Sequence, residues 1–305
     1  MYTPTAMKTA HIAHALLVSC VTTTRLRFVH SLSVLPSAEV KPRIPVLQYH
    51  DNWVAVNKPA GLSTHAGSRR NAPTLKSRLR RQLARKVFPV HRLDHRTSGV
   101  ILFAFDSETC GQLHAQLTEE ATSKQYIALL RGEWWHDTTQ VIVDKPLLMD
   151  NGVSKAAVTK FTLLATQQSD TNTNTMAASL VLCEPLTGRT HQIRRHAFSH
   201  LGQPILGDTQ HGDHTVNRWW RQNKGLHRLA LHALSVEMES ISCVAPVPPE
   251  LRDVLRGEQD LWGDAVIHEP RLLLEMVDEL GGTHGRFYRT RPTQDDVCTN
   301  VSKIE

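Results

Sequence analysis

Short apolar runs separated by turn residues are the main pattern in this chain, and they predict many strands. Two such runs on either side of the Asp51-Asn52 turn predict strands at residues 46–49 and 53–56. The unbroken apolar run from Val100 to Phe105 predicts a buried strand. Further strands are predicted at 125–130, 140–143, 156–165, 179–183 and 229–238.

Helical spacing is found in fewer places. Apolar residues four positions apart, from Leu75 to Val87, predict a helix with one buried face. A second helix is predicted at 107–118, and a third at 190–201 with Thr190 as its N-cap. Because strands and helices do not alternate steadily, the pattern favours an α+β fold around a largely antiparallel sheet.

The two ends of the chain differ from its middle. Residues 1–44 are rich in Ser and Thr and contain no acid before Glu39. This composition is typical of an organelle transit peptide, and a wrongly chosen start codon or an unfolded tail fits it equally well. We therefore expect an N-terminal extension at 1–44, a folded domain at 45–250 and a C-terminal extension at 251–305, disordered after about residue 286.

Composition excludes several classes of protein. The 305 residues are 40% hydrophobic and carry a net charge of +6, as expected of a globular chain. No segment approaches the roughly 20 apolar residues that a membrane span needs, so a membrane protein is not expected. The five cysteines lie far apart without a CxxC pair, which argues against a disulfide scaffold and favours the cytoplasm.

Positive charge is concentrated in two segments. Residues 52–93 and 185–207 contain no acidic residue. The first holds Lys58, Arg69, Arg70, Lys76, Arg78, Arg80, Arg81, Arg85, Lys86 and Arg92, and the second holds Arg189, Arg194 and Arg195. Such segments attract phosphate backbones, and two of them near other candidate residues favour RNA binding over an ordinary solvated face.

A single carboxylate stands at the end of the first basic segment. Asp94 lies between Arg92 and Arg96, just before the buried strand predicted at Val100. Nearby positive charge favours the ionised form of a carboxylate, which can then act as a nucleophile or a base. The alternative is a turn aspartate that caps Thr97 or Ser98.

The second basic segment places several polar residues on the helix predicted at 190–201. Arg194 lies on one stripe of that helix together with His191, and Arg195 lies on the adjacent stripe. An arginine from this helix could pair with Asp94 through two hydrogen bonds and fix its orientation. The alternative is a surface helix that binds backbone phosphates.

The 18 histidines require a metal site to be considered. His196 and His200 are four positions apart, with Asp208 the next acid, but no HExxH motif accompanies them. A metal hydrolase is therefore the weakest hypothesis, and no metal is expected. The chain also lacks the GxxxxGK[ST], GxGxxG and GxSxG motifs of nucleotide-dependent motors, dinucleotide enzymes and serine hydrolases.

Six separated motifs, within about residues 44–245, resemble those of the RluA-type pseudouridine synthases. In chain order they are Asn57-Lys58-Pro59-Ala60-Gly61, His91-Arg92-Leu93-Asp94 with Thr97-Ser98-Gly99, Lys124-Gln125-Tyr126, Gly188-Arg189-Thr190-His191-Gln192-Ile193-Arg194 with His196, Pro204-Ile205-Leu206-Gly207-Asp208, and Leu229-Ala230-Leu231-His232-Ala233. Residues 207–213, followed by Asn217-Arg218, are most similar to members that modify uridine 65 of tRNA. The pair His95-Arg96 departs from the Arg-Pro or Lys-Asp that members commonly carry there.

The resemblance implies a fold and a reaction. The fold would be a mixed, largely antiparallel sheet flanked by helices and loops around a central cleft. The enzyme would break the bond between C1′ and N1 of a uridine, turn the base and rejoin it through C5, with no cofactor. Asp94 would be the catalytic carboxylate, Arg194 its salt-bridge partner, and Tyr126 would stack on the base and could help to remove the C5 proton.

The remaining roles concern RNA. Arg92 would fill the space that the extruded base leaves. Arg78, Arg80, Arg81 and Arg85, with Arg189 and Arg195, would hold phosphates, and Leu229 and Leu231 would wall the pocket or be ordinary core residues. We expect a cytoplasmic monomer that acts on tRNA, with organelle targeting by residues 1–44 left open. An rRNA synthase of the same family and a non-catalytic RNA-binding protein are the alternatives.

Overall fold

The protein is described from a computed structural model, which covers residues 43–65, 72–172, 175–257 and 261–273. The strands are β1 (Val46–Tyr49), β2 (Trp53–Lys58), β3 (Phe88–Pro89), β4 (Ser98–Ala104), β5 (Ser123–Arg131), β6 (Gln140–Asp144), β7 (Leu147–Leu148), β8 (Ser154–Lys155), β9 (Val158–Gln167), β10 (Ala178–Pro185), β11 (Leu231–Met238) and β12 (Ile241–Val244). The helices are α1 (Leu75–Leu83), α2 (Ser107–Gln116), α3 (Gln192–Ser199), α4 (His214–Lys224), α5 (Pro249–Arg256) and α6 (Leu261–His268), followed by a 3₁₀ turn at Pro270–Leu273.

Ten of the strands form one sheet. Its main order is β1-β2-β4-β11-β5-β10-β9-β6, while β12 adds to β11, β3 adds to β4, and β7 and β8 form a separate hairpin. Within the described part of the chain, β4 and β11 are the parallel pair, and the other paired strands run antiparallel. The predicted α+β fold around a mixed, largely antiparallel sheet is confirmed.

The parallel pair lies near the middle of the sheet, and its spacing depends on a glycine. Gly99 has a φ of +116°, and a Cβ built on it would lie 2.1 Å from the carbonyl oxygen of Ala233. Any side chain would therefore push β4 away from β11. Because the loop that contains Asp94 leads directly into β4, this contact fixes where the loop meets the sheet.

Apolar side chains cover both faces of the sheet. α1 buries Leu75 and Leu79 against the β2 and β4 side, while α5 and α6 join the core around β5, β9 and β10. The predicted boundary at residue 250 falls inside α5, and Trp262 of α6 is buried in the same core. The described residues between 251 and 273 thus belong to the folded body.

Two helices have boundaries that differ from the predicted ones, α1 at its C-terminus and α3 at its N-terminus. α1 stops at Leu83 because Ala84 takes a left-handed backbone, although Val87 still reaches the core. α3 was predicted to start with Thr190 as its N-cap, and that is wrong: His191 is the N-cap, again with a left-handed backbone and no side-chain cap. The side chain of Gln192, the first residue of α3, accepts a hydrogen bond from the backbone N–H of Arg189 at 3.0 Å.

Residues 1–42 and 274–305 lie outside the described part, so the predicted extensions are not tested there. Among the helices that are described, none is long and apolar enough to cross a membrane. Between β9 and β10, Asp170 and Thr175 form an isolated β-bridge.

Candidate active site

The loop that carries Asp94 is fastened by buried polar side chains. Lys58 at the end of β2 is fully buried and donates to the carbonyl oxygens of Pro59, Leu62 and His95, at 3.1, 2.8 and 3.2 Å. Burial is the largest influence on this amine and lowers its pKa to about 7. Because one of its three partners follows Asp94 directly, Lys58 fixes the backbone of the loop.

His91 fastens the other side of the same loop. Its Nε2 accepts a hydrogen bond from the backbone N–H of Leu102 in β4 at 3.1 Å. Burial lowers the pKa of His91 to about 4, so the imidazole is neutral and can accept that bond. His91 was named only as part of a motif, and its structural role was not foreseen.

A buried chain of polar groups supports the start of β4. Ser98 Oγ lies 2.8 Å from His232 Nδ1 and accepts a hydrogen bond from Arg228 Nη2 at 2.6 Å. Arg228 also donates to Glu250 on α5 at 2.8 Å. Burial lowers the pKa of His232 to about 3, so this ring is also neutral. These residues hold the strand that follows Asp94, and sequence reasoning assigned none of them to the site.

Asp94 and Arg194 meet as the sequence predicted, but with one hydrogen bond and not two. Arg194 Nη1 lies 3.0 Å from Asp94 Oδ2. The guanidinium is 7% exposed, whereas the carboxylate is 23% exposed and can be reached from solvent. The alternative of a capping aspartate finds no support, because the backbone oxygen of Asp94 accepts from Thr97 while its side chain binds Arg194.

Arg194 forms two hydrogen bonds with the carboxylate of Asp208. Arg194 donates from Nε to Asp208 Oδ2 at 2.7 Å and from Nη2 to Asp208 Oδ1 at 2.9 Å. Its Nη2 also donates to Gln210 Oε1 at 2.8 Å. Asp208 is 1% exposed. The guanidinium is therefore held from behind and presents only one nitrogen to Asp94.

The loop of Asp208 has its own supports. Its Oδ1 accepts hydrogen bonds from the backbone N–H groups of Gln210 and His211 at 2.9 and 3.1 Å. Asn217 on α4 donates to the carbonyl oxygen of Asp208 and accepts from the N–H of Gly207, both at 2.7 Å. Sequence reasoning considered Asp208 only as a metal ligand, and its place in the motif that ends at Gly207-Asp208 was the signal available.

Electrostatics favours the ionised form of this buried pair. Burial is the largest influence on both groups and opposes ionisation, but their mutual hydrogen bonds and charges outweigh it. As a result the pKa of Arg194 is raised, with Asp94 contributing, and the pKa of Asp208 is lowered. A fixed positive charge therefore faces Asp94 at neutral pH.

Tyr126 lies in the middle of the sheet close to the carboxylate. It belongs to β5, pairs with Cys183 of β10 and Ala233 of β11, and packs against the apolar core on both sides. Burial is the main cause that raises the pKa of the Tyr126 phenol, and the charge of Asp94 adds to it. The phenol is therefore protonated at neutral pH.

A basic groove runs along α1. It encloses about 1100 Å³, and the described residues that line it include no acid. The basic residues among them are His65, Lys76, Arg80, Arg81, Arg85 and Lys86. Arg80 and Arg81 are exposed, Arg78 is half-buried, and the guanidinium of Arg85 stacks on Phe105 at 3.8 Å from the ring centre. The groove could take a phosphate backbone without reading its sequence.

The other predicted RNA contacts have mixed surroundings. Arg92 is exposed beside the Asp94 loop. Arg189 and Arg195 each donate to a backbone carbonyl oxygen, of Ala156 and Leu148 respectively, both at 2.9 Å. These two arginines thus brace the chain around β7 and β8, and a contact with RNA would use their remaining N–H groups.

Leu229 and Leu231 are 1% and 3% exposed and belong to the main apolar core. The structure supports their reading as ordinary core residues, and a role as pocket wall stays a prediction.

Two of the residues considered as metal ligands, His196 and Asp208, are engaged in other contacts, which argues against a metal hydrolase. Both ring nitrogens of His196 are occupied, since Nδ1 lies 3.0 Å from Thr159 Oγ1 and Nε2 lies 3.0 Å from the carbonyl oxygen of Lys145. Asp208 is engaged by Arg194. What remains is a partly exposed carboxylate held by a guanidinium, in a protein that also has a basic groove along α1. This combination favours an enzyme that acts on a nucleic acid.

Comparison with known proteins narrows this class. The sequence model of the family described as RNA pseudouridylate synthase matches residues 52–199. A tRNA pseudouridine synthase C of Haemophilus ducreyi is 38% identical over 205 residues, which are 62% of this chain and 83% of that protein. The tRNA pseudouridine synthase C of Pasteurella multocida is 35% identical over 72% of this chain and 93% of that protein.

A solved structure agrees with the fold. The human RNA pseudouridylate synthase domain containing 4 is 25% identical and superposes with a TM-score of 0.55, over 76% of this chain and 94% of that one. The chain belongs to the RNA pseudouridylate synthase family, and by that membership it is an isomerase. The resemblance predicted from the six motifs is thus confirmed.

Proposed function

We propose that this protein converts a uridine of tRNA, uridine 65, to pseudouridine with Asp94 as the catalytic carboxylate and without a cofactor. The observation that carries the proposal is the contact at 3.0 Å between Arg194 and an Asp94 side chain that is still partly exposed. The two relatives named above, which are tRNA pseudouridine synthases by name, favour tRNA as the substrate.

The reaction requires a charged carboxylate at C1′ of an extruded nucleotide. Asp94 either attacks the sugar or abstracts a sugar proton, and the ionised form is needed in both cases. Arg194 supports that form with one hydrogen bond, while Asp208 holds the guanidinium in place. The reaction changes neither oxidation state nor the number of atoms, so side chains alone can perform it.

The target base must leave its stack before it reaches the carboxylate, which costs a few kcal/mol. Arg92, exposed beside the loop, would occupy the vacated space. Tyr126 would support the base from the sheet, and Arg78, Arg80, Arg81 and Arg85 would hold the phosphate backbone along α1. Arg189 and Arg195 would extend this contact, and we expect a monomer in the cytoplasm.

Two other functions make different predictions. An rRNA synthase of the same family would modify ribosomal RNA and leave tRNA unchanged. A non-catalytic RNA-binding protein would bind RNA and release no proton from C5. The Asp94 and Arg194 pair argues against the second, because a binding surface for phosphates gains nothing from a carboxylate.

The proposal is tested by mapping pseudouridine chemically in tRNA and rRNA from a strain that lacks this gene. The expected result is the loss of one tRNA pseudouridine, at position 65, and its return when purified protein is added to that RNA. Loss at an rRNA position would favour the first alternative, and unchanged pseudouridine in both RNAs would contradict the proposed activity.

A further inference from the structure

His191 has an unusual backbone at the edge of the site. Among the described residues, His191 and Ala84 are the non-glycine residues with a left-handed φ, at +54° and +49°. This conformation is disfavoured for an L-residue because its Cβ comes too close to a backbone carbonyl oxygen. No side-chain cap compensates at His191. Strain of this kind persists where the surrounding structure imposes it, and it is concentrated at active sites.

The left-handed turn brings the imidazole beside the catalytic carboxylate. His191 Nε2 lies 3.7 Å from Asp94 Oδ2, which is too long for a hydrogen bond. The nitrogen is therefore next to Asp94 without being bonded to it. The side chain is 27% exposed, so a substrate and water can both reach it.

Burial of His191 favours a neutral ring. The groups that face it are Asp94, Arg194, Arg195, Asp208 and the ring of His211, whose centre lies 5.7 Å away. Burial is the largest influence and lowers the pKa of His191 below its usual 6.5, with the arginines adding to the effect and the carboxylates opposing it. At neutral pH the ring can accept a proton.

The phenol of Tyr126 cannot readily accept a proton at neutral pH. Burial and Asp94 raise the pKa of the phenol, which leaves it protonated at neutral pH. Asp94 is needed earlier, at C1′. The last step of the proposed reaction, loss of the proton from C5, therefore lacks a base among the residues assigned so far.

We propose that His191 is a second catalytic residue, whose Nε2 accepts the C5 proton after the base has been rejoined to the ribose through C5. This assignment rests on the proposed function. The C5–H bond breaks, its electron pair forms the C5=C6 double bond, and the pair of the N1=C6 bond moves to N1, which takes a proton from water. The imidazolium then releases its proton to solvent.

The test uses the full-length protein and a tRNA transcript with protium or deuterium at C5 of uridine. Asn tolerates the left-handed backbone, so His191→Asn keeps the fold while removing the base. His191→Gly leaves space for added imidazole. The matched control is His200→Asn, since His200 is exposed at the other end of α3.

We expect His191→Asn to lower kcat by about 100-fold or more, with KM little changed. The deuterium isotope effect on the single-turnover rate should rise above that of the wild-type enzyme, because C5 proton loss becomes limiting. Imidazole should restore part of the rate of His191→Gly, and His200→Asn should match the wild type.

An isotope effect equal to that of the wild type in His191→Asn, at any rate of turnover, would overturn this role while leaving the proposed function intact. Absence of imidazole rescue would also overturn it. A wild-type enzyme that forms no pseudouridine would instead refute the proposed function, and the role of His191 with it.

Discussion

Asp208→Asn is the most informative substitution for the architecture of the site. Asp208 and Arg194 are 1% and 7% exposed and share two hydrogen bonds of 2.7 and 2.9 Å. An asparagine keeps one acceptor oxygen, which the N–H groups of Gln210 and His211 already use. Its amide N–H₂ group would then face the N–H donors of Arg194, and the guanidinium would lose its buried counter-charge.

Breaking one partner of a buried ion pair costs about 3–5 kcal/mol. We expect the free energy of unfolding to fall by that amount at pH 7, measured by urea denaturation followed by circular dichroism. The control is Asp213→Asn, because the Asp213 pair with Arg131 at 3.0 Å is 36% and 41% exposed. Such an exposed pair contributes about 0–1 kcal/mol, and Asn preserves the cap of α4.

The difference between wild type and Asp208→Asn should depend on pH. The pKa of Asp208 is lowered in the folded protein from its usual 3.8, so the unfolded chain takes up the proton first as the pH falls. The stabilisation is therefore present above that usual value and is lost as the pH falls through the lowered pKa. A loss at pH 7 no larger than that of Asp213→Asn, or a difference independent of pH, would refute the reasoning.

Three further changes test other parts of the molecule. Arg80→Glu with Arg81→Glu should weaken tRNA binding and reduce the slope of log K against log salt by about two, whereas Arg221→Glu on α4 should change that slope less. Gly99→Ala should lower the free energy of unfolding by about 3 kcal/mol, because its Cβ would lie 2.1 Å from a carbonyl oxygen of β11. Lys58→Met should lower kcat by about 100-fold with tRNA affinity retained, since the Asp94 loop loses its bond at His95 and the 59–62 turn beside it loses two more. An unchanged salt slope, an unchanged urea midpoint and an unchanged kcat would contradict these three expectations in turn.

The sequence predicts α1 to α3 and the eight strands of the main sheet order because each leaves a local pattern, whereas α4 to α6 and the short strands β3, β7, β8 and β12 are not predicted. The apolar runs of β2 and β4 and the spacing of Leu75 and Leu79 on α1 are signals within a few residues. Helix ends are set by single residues under tertiary influence. Ala84 and His191 both have a left-handed backbone, but neither is a glycine, the residue that usually marks this conformation in a sequence.

The site can be predicted only in part from the sequence, because some of its contacts depend on tertiary structure and not on a local pattern. Asp94 is conspicuous as a lone acid among arginines, and charge predicts that an arginine of the 190–201 helix pairs with it, while the family resemblance singles out Arg194. Arg194 forms two hydrogen bonds with Asp208 and only one with Asp94. This arrangement depends on how the 207–213 loop folds around Asn217, which the sequence does not show. The support by Lys58 likewise depends on burial, which no local pattern reveals.

The central claim is that the carboxylate of Asp94 performs the reaction. Its most direct test is the release of tritium from C5 of uridine in tRNA by Asp94→Asn, together with the affinity of that variant for the same tRNA. Asn is close to Asp in size and keeps an oxygen for Arg194 Nη1, so we predict unchanged binding and no turnover above a trace. Substantial tritium release by Asp94→Asn would contradict the assignment.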